Sequence, residues 1–149
     1  MTSTASVIAH VLTERPDVAK HLAGAHDAAW AAVDRRVLEL CRLRIAMLLG
    51  CDAEGAMRTP GTGVDEGTVV ELTAWTSSPQ FDERDRACLA FCEHFVIDVA
   101  SLDDGLADEV RRLLGPNGLV DLTSAILVIE QRQRMRLTWQ RLGLTGAAT

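Results

Sequence analysis

Glu39 and Cys51 are the residues of this chain whose types and settings best suit chemistry. Cys51 directly follows Gly50, at the expected first turn of a short helix. Free amides and the helix dipole favour a thiolate there. Asp52 and Glu54 oppose this by like-charge repulsion, whereas Arg58, a turn or two on, supports it. Glu39 admits two readings. It can pair with Arg35 and Arg42, which share its helical strip at i−4 and i+3. Alternatively, it is a carboxylate held in a dry environment, with a pKa raised far enough to move protons. Arg44 falls inside the apolar arc of the same helix, an unusual place for a guanidinium.

A second polar group sits near the C-terminus. Leu119, Leu122, Ile126 and Leu137 share one helical face, and Glu130, Gln133 and Arg134 continue it. Polar groups on a core-facing stripe need partners. Glu130 and Arg134, four residues apart, can satisfy each other. Either the helix leaves the core at Glu130, or these residues line a pocket or a subunit contact. The remaining cysteines read as core. Cys88 and Cys92 share an apolar stripe with Phe91 and Phe95, and Cys41 lies on the stripe of Val37, Ile45 and Leu48. No CxxC pair is present, and His10, His21 and His26 have no ligand spacing with any cysteine, so no metal site is expected.

The elements that must position these residues are helical nearly throughout. Periodicity predicts helices over about 3–13, 17–32, 35–49, a short turn from Cys51, 65–75, 82–97, 104–114 and 119–142. Asp34 is placed to cap the third helix and Gly50 to stop it. Arg15-Pro16 is a break, Thr59-Pro-Gly-Thr-Gly63 a loop, and 145–149 a frayed end. The third helix is apolar almost all round, so it is expected to be largely buried.

At 149 residues, the chain has the size of one all-α domain, long enough to bury a core without disulfide or metal staples. Its net charge of −6 and pI of about 5.1 argue against nucleic acid and anionic membrane as partners. Of 15 basic residues only Lys20 is lysine, which reads as a coding bias. No run approaches a membrane span, and the N-terminal stretch lacks the basic region of a signal peptide. Four cysteines without such a signal are expected to be reduced thiols in a cytoplasm.

The block Glu39-Leu-Cys-Arg-Leu-Arg-Ile-Ala-Met-Leu-Leu-Gly-Cys51 resembles the signature helix of the carboxymuconolactone decarboxylase and alkylhydroperoxidase D (AhpD-like) superfamily. Val64 to Trp75 and Ser78 to Glu93 resemble the helices that follow it. Glu130-Gln-Arg-Gln-Arg134 stands where the family carries a polar motif, and the likeness extends over roughly residues 14 to 144. It implies an all-α orthogonal helical subunit of about six to eight helices that assembles as a homo-oligomer (dimer, trimer or hexamer), without a cofactor. The family's thiol peroxidases combine a glutamate, a CxxC pair and histidines. Glu39 matches the glutamate and Cys51 the first cysteine, but Glu54 holds the second cysteine's position, and Ala53 and Arg58 hold those of the histidines. An intramolecular CxxC disulfide is therefore excluded, and a redox cycle would need an external thiol reductant. The decarboxylase branch relies on histidine chemistry that is missing here.

Three functions fit these residues. In a one-cysteine peroxidase, Cys51 would attack a peroxide, Glu39 would shuttle the proton, and Arg58 or Arg44 would stabilise the thiolate. A redox-silent relative would bind or convert a small lactone- or aromatic-acid-like molecule through Glu39, Glu54 and Arg134, in a pocket between the third and last helices. A non-catalytic oligomer would use Arg44, Glu130 and Arg134 as interface pairs.

Overall fold

Asp34 begins the central helix as expected. Its carboxylate accepts from the Arg36 and Val37 amides, and helix α3 then runs over Arg35–Leu49. Gly50 ends it at φ +67°, a left-handed conformation that glycine adopts without strain. The turn delivers Cys51 to the N-terminus of a one-turn helix. The computed structural model describes residues 3–146. Among them are α1 (Thr4–Val11), α2 (Pro16–Ala32), α3, α4 (Asp52–Gly55), α5 (Glu66–Glu71), α6 (Glu83–Ile97), α7 (Asp104–Leu114) and α8 (Gly118–Arg141). There are also two short 3-10 turns and, among the described residues, no strand. The expected frayed end lies partly outside the described residues, at 147–149.

Nine of the fifteen residues of α3 are buried, on all sides of the helix. One side, Val37, Leu38, Cys41 and Ile45, meets Cys88, Phe91 and Cys92 of α6 and Leu122, Ile126 and Ile129 of α8. The other, Leu40 and Leu43, meets Leu72, Trp75, Phe81 and Leu89. Each fully buried Leu or Ile side chain contributes about 1.5–3 kcal/mol of transfer free energy, so α3 is the post around which the rest is assembled. The three core thiols behave as small apolar groups. Cys41 Sγ donates weakly to Cys88 O at 3.8 Å and Cys92 Sγ to Cys41 O at 3.9 Å. The Cys41 thiol is pushed up by its bond with Cys92 and by burial, and that of Cys88 by burial.

Some boundaries differ from the periodicity. Arg15-Pro16 separates α1 from α2 as expected, and Pro16 is itself the first residue of α2, where its missing N–H has no helical acceptor to lose. The expected helix over 65–75 closes as α5 followed by a 3-10 turn, Leu72–Ala74, which tucks Leu72 and Trp75 into the second core. Of the two readings of the polar part of α8, exit from the core at Glu130 is the one the structure does not follow: Glu130, Arg132, Gln133 and Arg136 all stay buried. Among the described residues no single helix is long and apolar enough to cross a membrane. The pair α7 and α8 passes by length and composition together but is bent by 104°.

Candidate functional site

Arg42 projects from the one polar strip of α3 and is 4% exposed. A guanidinium carries five N–H donors, and here all five are used. Nε and Nη2 form a fork on the Glu39 carboxylate, both at 2.8 Å. Nη1 donates to Glu54 Oε2 at 2.9 Å and to the Glu54 carbonyl at 2.7 Å. The second Nη2 hydrogen goes to Met57 O at 2.8 Å. One cation thus clamps two buried carboxylates and the turn leaving α4, in the bidentate geometry that makes such bonds strong.

Glu39 is 0% exposed, and both its oxygens are doubly bonded. Besides Arg42, Oε1 accepts from the Thr59 amide at 3.0 Å and Oε2 from Thr59 Oγ1 at 2.8 Å. Burial by itself would raise this carboxyl. The Arg42 guanidinium and the Thr59 donors more than offset it and hold it below the usual carboxylate range. This corrects the expectation of a raised proton carrier. Of the two expected partners, Arg42 is the one made. Arg35 instead lies over the Trp30 ring, 5.4 Å from its centroid, and donates to Pro60 O at 3.1 Å.

Glu54 is held from a third side by helix α1. Thr4 Oγ1 donates to Glu54 Oε1 and accepts from Arg136 Nη1 at 2.8 Å. Thr4 therefore ties the N-terminal helix to α4 and α8 at once.

Cys51 caps α4 next to this hub, 2% exposed. Burial raises its thiol. The Glu54 amide and Arg136 pull it down, the Glu54 and Asp52 carboxylates push it up, and the net result lies above the usual value. The expected thiolate is thus opposed by burial and by its acidic neighbours. The Glu39 oxygens bond Arg42 and Thr59 and not the Cys51 sulfur, and the glutamate bearing on the thiol is Glu54. Arg58 turns away. Its Nε and Nη2 pair with Glu66 at 2.7 and 3.0 Å, while Nη1 closes the turn onto Gly55 O and Met57 O. Arg44 pairs with Glu93 of α6 at 2.6 Å, and Trp75 Nε1 donates to the same oxygen at 2.8 Å. Glu130 and Arg134 pair within α8 at 2.8 Å, with the Arg134 side chain 47% exposed. Of the expected site residues, then, the fold joins Glu39 and Glu54 through Arg42, sets Cys51 beside Glu54, and sends Arg58, Arg44, Glu130 and Arg134 to separate ion pairs.

Over the hub opens a cleft of about 510 Å³. It lies between α3 and α8, as anticipated, but α1 and α2 supply two further walls. Arg42, Glu54 and Thr59 form a polar edge, and Trp30, Met57 and Ile129 much of its apolar lining. Trp30 Nε1 donates to His26 Nε2 at 3.0 Å, which leaves the imidazole proton on Nδ1. Burial, then the charge of Arg132, lower the His26 pKa, so the ring is neutral near pH 7. Arg132 and Gln133 line the inner wall from α8. Sequence periodicity missed Thr4, Trp30, Thr59, Arg132 and Arg136. Their roles come from packing of distant segments. The one available signal was the density of arginines along α8. No group of three or more His, Cys, Asp or Glu fit to hold a metal occurs among the described residues.

No family profile matches the chain, and none of the curated proteins does. Among solved structures, it is similar to a crystal structure of a protein of unknown function from Agrobacterium tumefaciens, described there as a candidate antioxidant defence protein AhpD. The two share 19% identity and a TM-score of 0.75, over 87% of this chain and 92% of the other. The fold is thus AhpD-like.

Proposed function

We propose that this chain is a small-molecule-binding protein built on the AhpD-like fold, with its function in the cleft over Arg42 and not in a reactive thiol. The observation that carries the reading is the cleft itself. Its volume of about 510 Å³ is within the range of small-ligand sites, and it pairs an apolar wall with a few oriented polar groups. The competing reading, a one-cysteine peroxidase acting through Cys51 with an external thiol reductant, draws support from the description of the structural neighbour. Against it stand a buried thiol with a raised pKa, a Glu39 with every lone pair engaged, and the pairing of Arg58 and Arg44 with carboxylates away from the sulfur. Glu39 and Glu54 act here as the frame that holds Arg42 and the α4 turn in place. Assembly into a homo-oligomer belongs to the same proposal, since Val120 and Leu127, seven residues apart on α8, expose an apolar strip.

Ligand-observed NMR with a library of neutral and charged aromatic fragments tests the reading. Fragments are expected to bind the native chain and Cys51→Ser equally. They are expected to be lost from Ala31→Trp, which fills the cleft from an exposed position on its rim. Equal binding to Ala31→Trp would refute the cleft. Peroxide consumption by the native chain that disappears in Cys51→Ser would restore the thiol reading.

A further inference from the structure

We propose that the occupant of this cleft is an organic monocarboxylate with a flat apolar body, and that Arg132 is the residue that grips its carboxylate; the inference rests on the binding reading above. Arg132 is 9% exposed on α8 and lines the cleft. Among the described residues it makes no hydrogen bond and no ion pair, and its nitrogens are not among the sealed, unpartnered atoms, so they open onto the cleft. A buried charge without a partner is costly, and an anionic ligand in the cleft would offset that cost.

Other cations of the cleft are already engaged. Arg42 has spent all five donors on Glu39, Glu54 and Met57 O. Arg35 is occupied by Pro60 O and the Trp30 face. Arg132 is different. Glu54 and Asp27 act on it electrostatically from a distance, without bonding it. Burial lowers its pKa, but guanidinium stays protonated in proteins, so the group remains a cation that faces the cavity.

The neighbouring groups narrow the ligand further. Gln133 donates Nε2 to Arg42 O at 2.9 Å, and its Oε1 is sealed from the cleft, so Gln133 fixes the inner wall and leaves the polar contact to Arg132. Neutral His26 carries its N–H on Nδ1, which faces Asp27 Oδ1 at 3.8 Å. Trp30, Met57 and Ile129 offer flat and apolar faces. One open guanidinium, with the Glu54 and Asp27 carboxylates nearby, suits a single negative charge and disfavours a dianion such as a phosphate monoester. The fork of Arg132 matches the planar, two-oxygen end of a carboxylate.

The test compares naphthalene-2-carboxylate with naphthalene-2-carboxamide, isosteres that differ in charge, by calorimetric titration at pH 7. The native chain is expected to bind the acid at least ten-fold more tightly than the amide. Arg132→Gln is expected to bring the two within about two-fold by weakening only the acid. Arg132→Lys, which keeps the charge but loses the fork, is expected to fall between. Equal binding of acid and amide to the native chain would overturn the carboxylate inference and leave the cleft reading standing. Absence of binding by both at millimolar concentration would overturn both. An acid preference that survives in Arg132→Gln would overturn the role of Arg132. The native-chain comparison requires no variant to fold.

Discussion

Replacing Arg42 by methionine keeps most of the side-chain volume and removes all five donors at the centre of the hub. Glu39 would then retain only the two Thr59 bonds, at 3.0 and 2.8 Å, while remaining 0% exposed. Glu54 would retain Thr4. Breaking a buried ion pair from one side costs about 3–5 kcal/mol, and in a chain of this size each kcal/mol shifts Tm by about 2–4 °C. A fall in Tm of about 6–20 °C at pH 7 is expected, a large share of the stability of an ordinary domain.

The pH dependence separates this cause from simple loss of packing. In the native chain the folded Glu39 pKa lies below its unfolded value of 4.5. Its contribution to stability is therefore fully present above pH 4.5 and is lost as pH falls through the lower, folded value. In Arg42→Met the dominant influence left on Glu39 is burial, which raises the folded pKa above 4.5. The sign inverts: the variant gains stability as pH falls from 7 towards 4.5. The gap between native and variant chains, read by urea unfolding with circular dichroism, should be widest at pH 7 and shrink towards pH 5. Arg42→Met with Glu39→Gln should recover part of the loss at pH 7 and flatten the slope. A gap below about 1 kcal/mol, or one that does not change between pH 7 and 5, would refute the hub.

Cys51 should react with a disulfide reagent more slowly than an unfolded-chain thiol at pH 7, and the rate should keep climbing past pH 9 because burial raises its pKa. A rate that levels off below pH 8 would contradict this. Glu54→Gln removes one of the carboxylates that push the thiol up, so labelling at pH 8 should speed up a few-fold. The same substitution in Cys51→Ser reports any opening of the core thiols. Thr4→Val removes the hydroxyl that serves both Glu54 Oε1 and Arg136 Nη1 and should cost about 1–3 kcal/mol, read as a Tm shift. Gly50→Ala forces a Cβ into φ +67° and should cost about 1–2 kcal/mol, with no neighbouring atom to relieve or worsen it.

The helices were legible because their signals are local. Asp34, Asp65, Asp82 and Asp103 each accept from an amide of the first turn. Gly50 supplies its stop at the residue where the periodicity of α3 ends. The near-complete apolar girdle of α3 correctly announced burial on all sides, and the i,i+3 pair of Glu39 with Arg42 is a matter of spacing within one helix. What spacing could not convey is direction across the fold. Arg58 has two acidic neighbourhoods within reach, α4 and α5, and only the packed chain puts Glu66 in front of it. Nothing local joins Thr4 to Glu54 fifty residues on, or to Arg136 at the far end of the chain. For the same reason spacing could not decide whether the polar half of α8 faces solvent or lines a buried site. Its partners, Arg42 O and Thr4 Oγ1, belong to α3 and α1.

Glu54 links the missing second cysteine to the state of both Cys51 and Glu39. A carboxylate at the position where the resemblance expects a second cysteine removes the resolving thiol. It also raises the remaining one, since its charge lies close to Cys51. That carboxylate is buried, so it requires a cation, and Arg42 can serve it only by also engaging Glu39, which sits one turn back on α3. Once Arg42 holds both acids, Glu39 is ionised and fully bonded and has no proton to pass. The same arrangement consumes the charge of Arg42, and Arg58 is drawn off by Glu66. Arg132 is then the buried cation still open to the cleft. In the proposed reading, the quieted thiol and the open guanidinium therefore share a cause: Arg42, Arg44 and Arg58 are paired with carboxylates, and the cleft keeps Arg132, which is not.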